Sequence, residues 1–269
     1  MMTVMTTMDR IHVTHIGGPT TLIEVGPWRL LTDPTFDPPG RRYNFGWGSA
    51  STKLAGPAIA VSDLPPIDAV LLSHDQHADN LDTAGRALLP RARHVITTTA
   101  GARRLRGNAI GLAPWQETTL AASDKPPLRI TATPCRHGAP LVAKLAGDVI
   151  GFALQWEGQR YGALWISGDT VMFSGVHEVP RRLPIGALLL HLGGVHFGIT
   201  GPLRYTARAQ ELAAFCTLSG ARTVVPIHYE GWSHFEGEAA YSDAMASLGP
   251  ALQTTVQPIR PGERIEVAT

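Results

Sequence analysis

The chain has 269 residues, of which 44% are hydrophobic and 17% charged, a globular balance that excludes a mostly disordered protein. A formal net charge of +1 gives no electrostatic reason to expect a nucleic acid or an anionic membrane as partner. The two cysteines, Cys135 and Cys216, exclude a disulfide scaffold and a zinc ribbon. The length allows one large domain or two small ones, and we expect a single domain over residues 1–269.

The N-terminal segment, MMTVMTTMDR, lacks the long apolar core of a secretion signal. No run along the chain approaches the roughly 18 apolar residues of a membrane-spanning helix. We therefore expect a cytoplasmic protein without membrane insertion, which acts on a small-molecule substrate and does not bind nucleic acid. The sequence leaves a homo-oligomer open.

Short strand-like runs, punctuated by 28 glycines and 21 prolines, dominate the chain. The predicted strands are Ile11–Ile16, Thr21–Val25, Trp28–Thr32, Ala69–Leu72, Val95–Thr98, Leu128–Thr133, Phe152–Trp156, Tyr161–Ile166, Ala187–Leu190, Thr223–Ile227 and Arg264–Val267. The predicted helices are Leu81–Leu89, Ala207–Leu218 and Glu238–Leu248. Residues 157–160 (EGQR) predict a hairpin turn. This pattern favours a layered α/β domain with helices outside the sheets.

Four of the strand-like runs lead into a residue that can bind a metal ion. AVLLS runs into His74, RITATPCR into His137, YGALWISG into Asp169, and TVVPI into His228. Side chains just past the carboxyl ends of strands collect on one rim of a layered α/β protein, where ligands bind. A lone histidine at a strand end is more often a hydrogen-bonded surface group, but four such ends together favour a metal site.

The segment LSHDQHADNLD, which ends at Asp82, concentrates polar side chains that are costly to bury in an ordinary core. Imidazole and carboxylate groups suit Zn, Fe, Mn or Ni, whereas the scarcity of cysteine argues against a thiolate site. Two divalent ions that share a bridging carboxylate can hold a hydroxide at neutral pH. Asp169, in SGDT, is the natural bridge because the small residues before it allow a close approach.

The order of these motifs resembles that of the metallo-β-lactamase superfamily. It runs from the His/Asp cluster to the histidine after TPCR, then to SGDT and to PIHY. The resemblance implies an αββα sandwich, an α/β fold, with the metal site at one edge of the two sheets. Within the superfamily, the opening HIGGPTTLIEVGPWRLLTDP is similar to the first hairpin of the branch that contains ascorbate-6-phosphate lactonase and N-acylphosphatidylethanolamine phospholipase D. The likeness spans roughly Ile11 to Trp232.

The family pattern HxHxDH is altered in two places. His74 lies three residues before His77 instead of two, and Asn80 stands where the last histidine is expected. The resemblance implies one or two divalent ions per chain, Zn, Mn or Fe, held by seven residues. They are His74, His77 and His137 for one ion, and Asp79, Asn80, Asp169 and His228 for the other. Because an amide oxygen is a weaker ligand than imidazole, the second position is expected to suit a harder ion or to be partly filled.

The resemblance implies a metal-dependent hydrolase in which a metal-bound hydroxide attacks a small-molecule ester, lactone or phosphodiester. Asp79 is the expected catalytic residue, since it would orient the hydroxide and shuttle its proton. The alternative is a non-hydrolytic sensor or structural protein that binds metal on the same fold. Loss of one ion through Asn80 would favour that alternative.

The remaining polar residues near the predicted rim receive separate interpretations. Substrate contact is predicted for four residues on loops that follow the site strands: His196, Arg204, Trp232 and His234. Asp33 and Asp75 are candidates to hold a ligand histidine. His191, inside LLLHLGG, is interpreted as a buried, hydrogen-bonded core histidine.

Overall fold

The computed structural model describes residues 10–269 except 47, 141, 142, 144, 145 and 202. The segment that bears on a secretion signal, residues 1–9, lies outside the described residues. Within the described part of the chain, no helix is both long and apolar enough to cross a membrane.

The strands, in chain order, are β1 (Arg10–Gly17), β2 (Thr20–Val25), β3 (Trp28–Thr32), β4 (Arg42–Gly46), β5 (Ser49–Thr52), β6 (Ala69–Leu71), β7 (His94–Thr98), β8 (Ala109–Leu112), β9 (Glu117–Ala122), β10 (Lys125–Pro134), β11 (Ile150–Gln155), β12 (Ala163–Ile166), β13 (Ile185–His191), β14 (Thr223–Ile227) and β15 (Arg264–Ala268). The α-helices are α1 (Thr83–Leu88), α2 (Thr99–Leu105), α3 (Ser174–Arg182), α4 (Leu212–Ser219), α5 (Gly237–Ser247) and α6 (Pro250–Gln253).

Two large mixed sheets contain most of these strands. The first has the order β15-β1-β2-β3-β6-β7-β8, and the second has the order β14-β13-β12-β11-β10-β9. Strands β4 and β5 form a separate hairpin. Every predicted strand is present, with ends displaced by at most about three residues, as is usual for predicted boundaries. The predicted turn at 157–160 does connect the antiparallel pair β11 and β12.

The main hydrophobic core lies between the two sheets, with further apolar layers on their outer faces. Alternate residues of one strand serve the two layers: Leu164 and Ile166 of β12 point into the central core, whereas Trp165 packs outward. The outward face of the second sheet is covered by α3, α4 and α5, and that of the first sheet by α1. The architecture is the predicted αββα sandwich of the metallo-β-lactamase fold.

Two sets of elements differ from the sequence-based expectation. The helix predicted over Ala207–Leu218 begins only at Leu212, because the chain before it forms a short 3-10 turn at Ala209–Glu211. Four strands and three helices among the described residues were not predicted, namely β4, β5, β8, β9, α2, α3 and α6. The missed strands are short or half-exposed, so that they lack a continuous apolar face, and α3 contains Pro180.

Parallel strands bring the functional side chains to one edge of the sandwich. In the first sheet β3 and β6 run parallel, and in the second β12, β13 and β14 do. Parallel strands end at the same edge, and five residues lie at or just after the ends of these five strands: Asp33, His74, Asp169, His191 and His228.

Candidate metal centre

Three histidines converge at this edge. His74 follows β6, His77 lies three residues later in the same loop, and His137 follows β10. Nε2 of His74 lies 2.9 Å from Nδ1 of His77, and Nε2 of His137 lies 3.0 Å from the same nitrogen. The extra residue between His74 and His77 therefore does not separate their rings, because the loop bends between them.

Hydrogen bonds behind this cluster direct lone pairs towards its centre. Nδ1 of His137 donates to the backbone oxygen of Tyr205 at 2.7 Å, so that its Nε2 carries a lone pair when the ring is neutral. Nδ1 of His74 is 2.9 Å from Oγ of Ser73. Two donors that each lie about 2.1 Å from a tetrahedral zinc ion are about 3.4 Å apart. The three nitrogens fit one such ion after a small expansion.

Burial keeps two of these rings neutral, which is the form that binds metals. Burial, followed by the neighbouring His77, lowers the pKa of His74 well below its usual value. Burial, followed by His137, lowers the pKa of His77 from 6.5 to about 4. At neutral pH both side chains therefore offer lone pairs and no proton has to be displaced.

The metal-free protein is expected to lose stability as the pH falls from 6.5 to about 4. In this window the unfolded chain protonates His77 and the folded chain does not, so the unfolded state binds more protons and the free energy of unfolding decreases. Urea unfolding of chelator-treated protein at several pH values measures this effect. The variant His77→Gln should show a shallower pH dependence, and an equal slope in both proteins would contradict the assignment.

A second donor group consists of Asp169, His191 and His228, whose ligand atoms all lie within 4.8 Å of one another. All three residues are fully buried. Oδ1 of Asp169 lies 3.0 Å from Nδ1 of His228, but without the angle of a hydrogen bond, so both Asp169 oxygens and both His228 nitrogens have no hydrogen-bond partner among the described residues. Buried polar atoms without partners are rare, and an ion is a common explanation for them.

In the second donor group, Asp169 and His228 stabilise each other's charged forms. Burial alone would raise the pKa of Asp169, but the nearby His228 outweighs it and holds that pKa well below its usual range. Burial would lower the pKa of His228, but Asp169 outweighs it and raises that pKa. Without an ion, Asp169 is therefore ionised and His228 tends to hold a proton. A divalent ion would replace this proton as the positive partner.

Asp79 lies beside the second group and is held by a buried histidine. Its Oδ2 accepts a hydrogen bond from Nε2 of His234 at 3.0 Å and is 3.9 Å from Nε2 of His228, whereas its Oδ1 has no partner among the described residues. Nδ1 of His234 is 2.5 Å from Oγ of Ser51. Burial alone would raise the pKa of Asp79, but the bond from His234 and its charge lower that pKa to about 2. Asp79 is thus an ionised carboxylate with one free oxygen.

Asn80 is fully buried next to these donors. Its Nδ2 donates to Oγ of Ser73 over a long 3.4 Å, and its Oδ1 has no partner in the described part of the chain. The amide oxygen is thus free to act as a neutral ligand, and its ligand role stays a prediction. The amide nitrogen instead supports Ser73, which itself contacts His74.

The two carboxylates that were candidates to hold a ligand histidine lie in different surroundings. Asp33 is buried, accepts the backbone N–H of Ser73 at 2.7 Å, and lies 3.6 Å from Nε2 of His191. Asp75 instead pairs with Arg104 of α2, with one N···O distance of 2.9 Å. Asp33 therefore contacts the site, whereas Asp75 anchors the loop to α2.

Backbone strain accompanies the site. Asp33 and His228 have φ angles of 28° and 61°, in the region that favours glycine. Gly168, which precedes the predicted bridging aspartate, has a φ of 63°, and a Cβ there would lie 2.7 Å from the backbone oxygen of Ile150. The sequence SGDT therefore requires glycine both for its backbone angle and for space.

We expect Gly168→Ala to destabilise the protein more than Gly107→Ala does. Gly107 has a similar φ of 59°, but nothing lies within 4 Å of its added Cβ, so the pair separates the steric clash from the backbone angle. Overpacking of this kind costs about 1–3 kcal/mol, which should be the difference between the two free energies of unfolding measured in urea. Equal losses in the two variants would mean that the backbone at Ile150 moves without cost.

An aromatic cluster, here called the aromatic wall, lies next to the donors. It consists of Tyr43, Phe45, Phe197, Tyr205 and Trp232. Phe45 lies 5.8 Å from the ring of His77, and Tyr205 lies 5.8 Å from that of His137, between ring centroids. The β4–β5 hairpin supplies Tyr43 and Phe45, which were not predicted from the sequence because this hairpin was not recognised.

The four residues predicted to contact substrate occupy different positions. Trp232 is buried in the aromatic wall, and His234 is buried against Asp79. Arg204 is 3.6 Å from Oε1 of Glu236, and its side chain is 27% exposed. His196 is half-buried, and its backbone N–H donates to the backbone oxygen of His234 at 3.4 Å.

His191 is buried and hydrogen-bonded to Ser167, as predicted, and Asp33 lies beside a histidine, but the place of His191 in the second donor group was not predicted. Both residues obey the signal that identified the other donors, since each comes at or just after the end of a strand, β13 and β3. The apolar residues around His191 hid this signal.

The comparisons with known proteins agree with this architecture. The β-lactamase superfamily domain matches residues 28–229, more than half of the chain. A UPF0173 metal-dependent hydrolase of Methanoregula boonei is 26% identical over 144 residues, which are 52% of this chain and 59% of that relative. The chain thus matches less than two thirds of that relative's length.

Solved structures show the same fold. The isothiocyanate hydrolase from Delia radicum gut bacteria has a TM-score of 0.78 and 21% identity, covering 96% of this chain and 99% of that one. A metallo hydrolase from Ignicoccus hospitalis has a TM-score of 0.69 and 18% identity, covering 97% of this chain and 99% of the other. The family match over residues 28–229 shows that the chain belongs to the metallo-β-lactamase superfamily, in the family of the β-lactamase superfamily domain.

Proposed function

We propose that the protein is a metal-dependent hydrolase that cleaves a small-molecule ester, lactone or phosphodiester. The observation that carries the proposal is the pair of donor groups at one edge: three histidines whose ring nitrogens face one another, and a buried group in which both Asp169 oxygens and both His228 nitrogens have no hydrogen-bond partner among the described residues. Divalent ions at such donors lower the pKa of a coordinated water and stabilise negative charge on oxygen. The names of relatives as metal-dependent hydrolases support this proposal.

The two donor groups and Asp79 would have separate roles. His74, His77 and His137 would hold one ion, whose preference for Zn, Mn or Fe matches imidazole donors. Asp169 and His228 would hold the second, with Asp79 beside them. The free Oδ1 of Asp79 would accept the proton of the attacking water, because its low pKa keeps the carboxylate ionised.

The surroundings favour an uncharged substrate with an apolar part. The aromatic wall offers ring surface next to His77 and His137. Two cations are paired with carboxylates: Nζ of Lys53 lies 2.8 Å from Oδ2 of Asp82, and Nε of Arg208 lies 2.8 Å from Oε1 of Glu236. A phosphodiester would need Arg204 to leave Glu236. These contacts favour an ester or lactone over a phosphodiester, whereas the resemblance covers a branch with both lactone and phosphodiester hydrolases.

Elemental analysis and a substrate panel test the proposal. Protein purified without added metal, and protein reloaded with Zn, Mn or Fe, is assayed with aryl esters, lactones, a bis-aryl phosphate and an isothiocyanate, the last because a protein of similar fold acts on one. We expect bound ions and turnover, both lost in His137→Ala. His94→Ala is the matched control, because His94 is exposed at the amino end of β7, the opposite end from the donors.

Two other results would change the proposal: bound ions without turnover, and no bound ions. Bound ions without turnover on any substrate would support the non-hydrolytic sensor or structural protein. No binding of Zn, Mn or Fe by the wild-type protein would contradict both functions.

A further inference from the structure

We infer that His191, and not Asn80, supplies the imidazole donor that completes the second metal position. The inference rests on the proposed function and assigns a residue that the family pattern does not provide. It would explain how a chain that carries asparagine in place of the last histidine of HxHxDH could still hold two ions.

His191 lies beside His228 in the second sheet. His191 is the last residue of β13, and it pairs with Ile227 of the parallel strand β14, immediately before His228. The rings of His191 and His228 have centroids 5.2 Å apart, and both are fully buried. Asp169, His191 and His228 each offer a ligand atom within 4.8 Å of the others. The strand register therefore places a second imidazole where an ion held by Asp169 and His228 would sit.

The hydrogen bonds of His191 determine which nitrogen is free. The hydroxyl of Ser167 donates to the backbone oxygen of Gly168 at 3.0 Å, so its oxygen acts as an acceptor towards His191. It accepts the backbone N–H of His191 at 3.0 Å and faces Nδ1 at 3.3 Å. When Nδ1 donates to that oxygen, Nε2 of the neutral ring keeps its lone pair for an ion.

The free nitrogen faces a carboxylate. Nε2 of His191 is buried without a hydrogen-bond partner among the residues described, and the nearest carboxylate oxygen, Oδ2 of Asp33, is 3.6 Å away. A lone pair opposite a carboxylate is unfavourable unless a positive charge lies between them.

Asn80 offers a free amide oxygen but no imidazole. Its Nδ2 is directed to Ser73, which contacts His74 of the three-histidine cluster. Its free Oδ1 is a neutral oxygen and a weaker ligand for Zn or Fe than imidazole. With His191 included, the second position has two imidazoles and a carboxylate, a donor set that suits Zn as well as Mn or Fe. Asn80 then supports Ser73, and the imidazole comes from β13.

Zinc titration of the metal-free protein tests this assignment. Competition with a chromophoric chelator gives the Kd of each ion, and zinc X-ray absorption gives the mean number of imidazoles per ion. We expect His191→Gln to retain the first ion, to weaken the second by about 100-fold, and to lower the imidazole number. Asn80→Ala should change the second Kd by less than about threefold, and His94→Ala should change neither Kd.

A rescue variant separates the loss of an imidazole donor in His191→Gln from a loss of folding. Asn80→His in the His191→Gln background restores the family histidine and should recover the second ion. Ser167→Ala keeps the imidazole but removes its Nδ1 partner, and should weaken the second ion about 10-fold or more. Loss of the second ion in Asn80→Ala, with retention in His191→Gln, would overturn the inference. That result would leave the hydrolase proposal intact, whereas a wild-type protein that binds no zinc would refute the hydrolase proposal itself.

Discussion

Asp169→Asn is expected to remove the second ion, to weaken the first, and to lower kcat/KM by about 10³-fold. Asp169 belongs to the second donor group, and its negative charge also acts on His74 and His137 of the first cluster. Both of its oxygens are buried and have no hydrogen-bond partner in the described structure. Asparagine keeps the shape but presents an NH₂ group, which repels a cation where a carboxylate oxygen stood.

The measurement combines metal content with kinetics on a substrate that the panel identifies. Asp75→Asn is the matched control, because it makes the same chemical change at a buried aspartate of the same edge that pairs with Arg104. This control is expected to retain its ions and to change kcat/KM by less than about threefold, since a partly exposed ion pair contributes little. Full metal content and activity in Asp169→Asn would exclude a bridging role.

The sequence predicted the donors that directly follow a buried strand, because the apolar run and the donor are then adjacent in the chain. His74, Asp169 and His228 each follow a buried parallel strand, so apolar runs that end in a donor were enough to predict that they meet. His191 follows the same rule, but it lies between leucines that are themselves buried. A histidine that belongs to an apolar run cannot be distinguished by pattern from a core histidine.

The surroundings of the donors could not be predicted, because they come from distant parts of the chain. Ser51 contacts His234 from 183 positions away, and Phe45 reaches His77 from the β4–β5 hairpin. This hairpin is half-exposed, with the polar segments RYNFG and SAST, so no apolar periodicity marks it. Its position depends on tertiary contacts such as the bridge between Lys53 and Trp232.

His234→Phe is expected to retain the bound ions and to lower kcat by about 10–100-fold with little change in KM. Phenylalanine preserves the stacking on Phe197, whose ring is 5.2 Å away and tilted by 7°, and the contact with Phe45 at 5.1 Å. It removes the hydrogen bond from Nε2 to Asp79, and nothing else among the described contacts orients Oδ2 of that carboxylate as closely. Asp79 would then be free to rotate away from the position in which its Oδ1 receives a proton.

The pH profile separates this positioning role from a general loss of packing. The hydrogen bond and charge of His234 lower the pKa of Asp79 to about 2, so their removal should raise that pKa. Because Asp79 acts in its ionised form, the acid limb of kcat should move to higher pH in His234→Phe. Ser51→Ala, which touches only the far nitrogen of His234, should move it less. An unmoved acid limb with reduced kcat would mean that His234 acts through packing alone, and loss of ions would mean that it supports the metal ligands.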